Sequence, residues 1–186
     1  MNNTFFPNNN EKLDFVMKIY EQEISTRDKW IKENIDRLNQ AINESSASIT
    51  ISYAISIINH AILVFRLIDL EAITARESEK EKAKERAKIL HERNPKLPKP
   101  PASLRKIRND FEHFESRLDQ WATSTNPNYY IDLNIGGGIY APEANTKDNF
   151  RSLVGSELIF WNNSVNLQEV VNWVSQIDEI ISAQQK

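Results

Sequence analysis

Cysteine is absent from the 186 residues. Disulfides, thiolate nucleophiles and thiolate metal sites are therefore excluded. Glycine occurs four times, three of them in the single run Gly136-Gly137-Gly138. No helix start carrying Lys and Ser/Thr follows that run, so a P-loop is excluded and the run reads as a turn. The opening MNNTFFPNNNEKLDF lacks the basic start and apolar core of a signal peptide. The most apolar window, Ile49 to Leu70, is interrupted by His60, Arg66 and Asp69. It reads as a buried helix rather than a membrane span. These absences set the expectation of a cytoplasmic protein with no membrane partner.

What is present fits a globular domain: 40% hydrophobic and 26% charged residues, in a chain long enough for a core. The net charge of -3 is unevenly spread. Arg76 to Arg108 holds twelve Lys or Arg against five Glu, or +7, which leaves -10 for the remainder. Such a segment is either a phosphate-facing surface or a solvated helix laced with Glu/Lys pairs, and the mixed signs of ESEKEKAKERAK favour the second.

Residues 1–10, rich in Asn with Pro7, read as a loose tail, and residues 11–186 as one helical domain. Apolar side chains at helical spacing predict a first helix from about Glu11 to Ile42. A second, long helix is expected from about Ser48 to Arg93, half buried and half projecting beyond the bundle. Asn94-Pro95 stops it, and Pro98, Pro100 and Pro101 make a stiff connection. A third helix opens with Ser103 as N-cap and ends near Thr123. Residues 129–161 carry two strand-like runs, Tyr129–Ile135 and Glu157–Trp161, expected as a β-hairpin insertion with a loop over 142–151. Asn166 with Glu169 signals the start of the last helix, whose buried side runs from Leu167 to Ile181. The expected fold class is therefore mainly α: a four-helix up-and-down bundle with one long second helix and a small β-hairpin before the last.

The third helix carries the candidate chemistry. Leu104, Ile107, Phe111, Phe114, Leu118 and Trp121 repeat at steps of three and four and form one apolar stripe. Arg105, Arg108, Asn109, Glu112 and His113 fall on its flank and back. Arg108 and His113 differ by ~140° on a helical wheel, so they line one groove only if another surface closes over them. A second copy of the helix does this in a two-fold dimer. In such a composite site one His accepts a proton from a ribose 2′-hydroxyl and the other protonates the leaving oxygen. The Arg pair holds the phosphate, and Asn109 fixes substrate or tautomer. Arg105 and Glu112 are candidate substrate contacts. No metal is required and no cofactor is implied.

The segment Arg108-Asn109-Asp110-Phe111-Glu112-His113, with four residues between Arg and His, resembles the signature of the HEPN superfamily. That resemblance implies a helical-bundle homodimer acting as a metal-independent endoribonuclease, in toxin–antitoxin or phage-defence settings. Its implied roles are His113 as acid and base, Arg108 for phosphate and Asn109 as a supporting polar group. The expected partners are a second copy, RNA and a cognate protein.

Duller readings stand beside it. Arg108 pairs with Glu112 at the i, i+4 spacing, and His113 is a solvated side chain. Arg66, Asp69 or Glu71 contributes a salt bridge or projects into the groove. His60 is a satisfied core residue. Arg86 and His91 repeat the five-residue offset without the Asn and read as coincidence. The alternative function is a non-catalytic helical interaction module, an adaptor or antitoxin-like partner.

Overall fold

The computed structural model describes residues 4–124, 130–136 and 149–184. Six α-helices and a four-stranded sheet are found there: α1 (Asn10–Asn43), α2 (Ala47–Ile68), α3 (Lys80–Arg93), α4 (Ala102–Glu112), α5 (Phe114–Ala122), β1 (Asn134–Ile135), β2 (Arg151–Val154), β3 (Glu157–Phe160), β4 (Asn163–Asn166) and α6 (Leu167–Gln184). The fold is mainly α with a small sheet.

Helix α1 begins where Asn9 caps it, its side-chain oxygen accepting from the amides of Glu11 and Lys12. Its buried stripe runs Met17, Glu21, Ile24, Asp28, Ile31 and Leu38, close to a heptad seam. Two carboxylates thus sit in the seam, and each is satisfied from another element. Glu21 accepts from Arg93 and from Asn94 beyond α3. Asp28 accepts from Ser175 of α6 and is paired with Lys32. Ahead of α1, residues 4–9 are anchored rather than loose. The Phe5 amide donates to Glu85 at 3.0 Å, and Phe6 packs edge-on against Tyr20.

Helix α2 is buried against α1, α3, α4 and α6. Ile51, Ile57, Ile58, Val64 and Phe65 are nearly inaccessible, each stabilising the fold by roughly 1.5–3 kcal/mol relative to exposure. By length and composition α2 is sufficient to cross a membrane, with 50% of its most apolar window buried inside the fold.

The expected long second helix is two helices. Asp69 ends α2 in extended backbone, and its carboxylate accepts from the amides of Glu71 and Ile73. Ala72 turns with φ of 48°, and a short 3-10 turn at Glu77–Glu79 leads into α3. Helix α3 folds back on α2 instead of projecting. Ala83, Ala87 and Leu90 are its buried face, and the small alanines let the helices approach. The free carbonyls at the α2 C-terminus find donors on α3. Arg86 donates to the Arg66 carbonyl at 2.7 Å and the Leu67 carbonyl at 3.3 Å. The His91 imidazole does the same to Ile68 at 3.0 Å. Helix ends leave such carbonyls unmet, and cations there complement the helix dipole.

Beyond Asn94 the Pro-rich connection runs past α6, where the Trp173 indole donates to the Pro98 carbonyl. The third predicted helix is present but broken. Helix α4 ends at Glu112, His113 leaves helical geometry (φ -122°, ψ 30°), and α5 starts at Phe114. Pro101, not Ser103, occupies the N-cap position, and no side chain caps there.

The sheet has order β1-β2-β3-β4, with β1 parallel to β2 and the rest an antiparallel meander. It is larger than the hairpin expected from sequence. Gly155, with φ of 59°, closes the two-residue turn between β2 and β3. Trp161 closes the β3–β4 turn with φ of 54°, seated against Phe114 and Phe150. Of the glycine run, Gly136 has a left-handed φ of 78°; Gly137 and Gly138 lie outside the described residues, as do Tyr129 and most of the 142–151 loop. Helix α6 starts as its sequence predicts, with Asn166 accepting the Glu169 amide at 3.0 Å.

Candidate functional site

The α4–α5 junction presents the motif. Asp110, its third residue, is 1% exposed. It accepts from Asn163 of β4 at 2.6 Å on one oxygen and from Arg117 of α5 at 2.9 Å on the other. Phe111 and Phe114, on either side of the break, both pack against the Phe160 ring, at 4.3 and 5.8 Å. These contacts hold both short helices on the sheet and place the bend at His113. Hydrogen bonding continues around it: the His113 amide donates to the Asn109 carbonyl, and the Arg117 amide to the His113 carbonyl.

The His113 side chain is exposed, and its imidazole has no hydrogen-bond partner among the described residues. Asn109 is also exposed, and its side chain has no hydrogen-bond partner among the described residues. Arg108 behaves differently. Its side chain is 19% exposed and is ion-paired with Glu112, the i, i+4 pairing that the spacing allows. Glu112 is shared: Arg66, from the last turn of α2, binds its other oxygen. One carboxylate therefore bridges two guanidiniums from different helices. Arg105 stands apart from this group, paired with Glu71 at 3.1 Å and lying over the Phe65 ring. The structure thus joins Arg108 to Glu112, adds Arg66, and leaves Asn109 and His113 at the surface.

Arg66, Arg108 and Glu112 form part of the wall of an open groove of about 680 Å³. Its other sides are the Phe5–Phe6 segment, Tyr20, the connection around Arg76, and α3. Five cationic side chains line it against two carboxylates, a balance that favours anions. The Nε atoms of Arg66 and Arg108 are shielded from solvent and have no acceptor. The basic run seen in sequence thus contributes only in part to a concave surface. Its Lys80 and Lys82 pair with Glu77 and Glu79 of the preceding 3-10 turn, and Lys84 and Lys88 with Glu81 and Glu92 of α3.

Sequence reasoning left Arg66 as one of three residues, with Asp69 and Glu71, for a salt bridge or a place in the groove; the structure gives Arg66 both. The available signal was a cation in the last turn of an otherwise apolar helix. Arg86 and His91, whose spacing mimics the motif, serve instead as caps for α2. His60 is half-buried between α1 and α2, its Nδ1 3.2 Å from the Arg27 guanidinium and its ring against Trp30. Burial, and then the charge of Arg27, hold its pKa below the ordinary value of 6.5, with Glu23 opposing.

No family model, no curated protein and no solved structure matches the chain.

Proposed function

We propose that this chain is a metal-independent endoribonuclease of HEPN type that works as a two-fold homodimer. In this reading α1, α2, the α4–α5 pair and α6 are the four bundle helices, and α3 and the sheet are additions. The observation that carries the proposal is the exposed imidazole of His113, without a hydrogen-bond partner among the described residues and one residue from the Glu112–Arg108 ion pair. Two such surfaces facing each other create the composite site. A neutral His113 removes the proton from the ribose 2′-hydroxyl, and the 2′-oxygen attacks phosphorus. The bond from phosphorus to the 5′-oxygen breaks as the partner's His113, protonated, supplies its proton. The products are a 2′,3′-cyclic phosphate and a 5′-hydroxyl. Arg108 neutralises the growing charge on the phosphoryl oxygens once its carboxylate partner yields to the phosphate.

The test is RNA cleavage in the presence of EDTA, with dimerisation measured by light scattering. Wild type is expected to cleave. His113→Ala is expected to lose about 10²–10⁴-fold in rate while staying dimeric and folded. Full activity in that variant ends the proposal.

A second reading has its own support. Phe15, Ile19 and Trp30 are exposed on α1, within ~60° of one another on the helical wheel. Isolated exposed apolar residues are ordinary, but an aligned set marks a contact surface. A non-catalytic interaction module predicts no RNA turnover and unchanged assembly in His113→Ala.

A further inference from the structure

Glu112 occupies the position of an anion. Arg66 and Arg108 reach it from α2 and α4, each donating one Nη2–H to a different oxygen. A guanidinium has five N–H donors in a planar fork suited to oxyanions. Here both Nε–H groups are left without acceptors although shielded from water, an arrangement that costs free energy wherever it persists. A carboxylate supplies two oxygens to this clamp, whereas a phosphate monoester supplies three and up to two negative charges.

The surroundings specify the rest of a ligand. Arg76, on the connection before α3, lines the groove and has no side-chain partner among the described residues. Arg86 is committed to the α2 carbonyls and sets the position of Arg66. Facing the cations are Phe5, Phe6 and Tyr20. Phe6 and Tyr20 contact each other edge-on at 6.4 Å. The volume of about 680 Å³ suits a small molecule, since such sites run from roughly 300 to 1,000 Å³.

We infer that this groove binds a phosphate monoester carried on a flat apolar body, with Glu112 as the built-in anion that the phosphate displaces. The inference shares with the nuclease reading the displacement of Glu112 from Arg108 by a phosphate, but it needs neither His113 nor a second copy of the chain.

Calorimetric titration tests it, with phenyl phosphate, inorganic phosphate and benzoate as probes on the full chain. Phenyl phosphate is expected to bind wild type more tightly than either other probe, because it alone combines the dianion with the ring. Glu112→Gln, which removes the internal competitor, is expected to tighten phenyl phosphate about tenfold. Arg66→Ala is expected to weaken it by a similar factor, and Arg76→Ala, on the exposed connection, by a few-fold. Circular dichroism of each variant separates lost binding from lost folding. Benzoate binding as tightly as phenyl phosphate overturns the choice of phosphate. Equal affinity for phenyl and inorganic phosphate overturns the apolar body. No gain in Glu112→Gln overturns the displacement. Because the readout uses no RNA, an inactive nuclease leaves this inference intact, and a failed titration leaves the cleavage test standing.

Discussion

The Asn163 side-chain amide donates to Asp110 at 2.6 Å, tying β4 to the helix that carries the motif. With Arg117 on its second oxygen, Asp110 spans the break between α4 and α5 while almost wholly buried. Asp110→Ala removes both bonds and leaves the Asn163 amide without its acceptor. The expected cost is about 2–4 kcal/mol, read as a lowered urea midpoint. Loss of this tie also frees the bend at His113. A variant with unchanged midpoint contradicts the bracing role.

A second buried carboxylate is tested in the same way. Glu21 is 3% exposed and is held by Arg93 and Asn94 at the end of α3. Glu21→Ala leaves Arg93 with Asp14 alone and takes an acceptor from the buried Asn94 amide, with an expected loss of about 3 kcal/mol. Glu21→Leu, which fills the seam with apolar volume while leaving Arg93 its second partner Asp14, is expected to recover part of that loss. Equal destabilisation in the two variants argues that packing volume contributes little at this position.

His60 makes stability depend on pH with a definite sign. Its pKa in the folded state lies below 6.5, chiefly through burial and secondarily through Arg27. The unfolded chain therefore binds the proton more readily. The contribution is fully present above the unfolded value and is lost as pH falls through the folded one. Between about pH 7 and about pH 5, wild type is expected to lose more stability than His60→Gln. Parallel denaturation curves for the two proteins across that range contradict it.

Gly155 is required by backbone geometry alone. Its φ is 59°, and a Cβ added there meets nothing within 4 Å. Gly155→Ala is therefore expected to cost about 1 kcal/mol through left-handed strain. Gly155→Asn is expected to cost less, since Asn tolerates that region better. Thermal melts distinguish the pair, and an equal loss in both points to something other than backbone angle.

Much of this organisation is legible in the chain. Periodic apolar residues locate α1 and α6 to within a few positions, and Asn166 marks the start of α6. The i, i+4 offset of Arg108 and Glu112 anticipates their pairing. Two breaks were not legible, for different reasons. Asp69 ends α2 with no Pro or Gly beside it, and the turn depends on its carboxylate capping two downstream amides. His113 interrupts a stripe whose apolar spacing never falters, because the cause lies on Phe160 and Asn163, about fifty residues away. The buried Glu21 and Asp28 were hidden too, since a charged residue in a heptad position looks solvated until its partner is known.

By itself the sequence determined what short-range physics controls: which segments are helical, which faces are apolar, and that cysteine chemistry is excluded. Tertiary structure alone decided that α3 returns along α2, because only that path brings Arg86 and His91 to its open carbonyls. It also decided that Arg66 shares Glu112 with Arg108, since a bridge between residues on separate helices depends on how those helices pack. Spacing along one helix specifies contacts up to four residues away; convergence of charge from several helices exists only after they have docked.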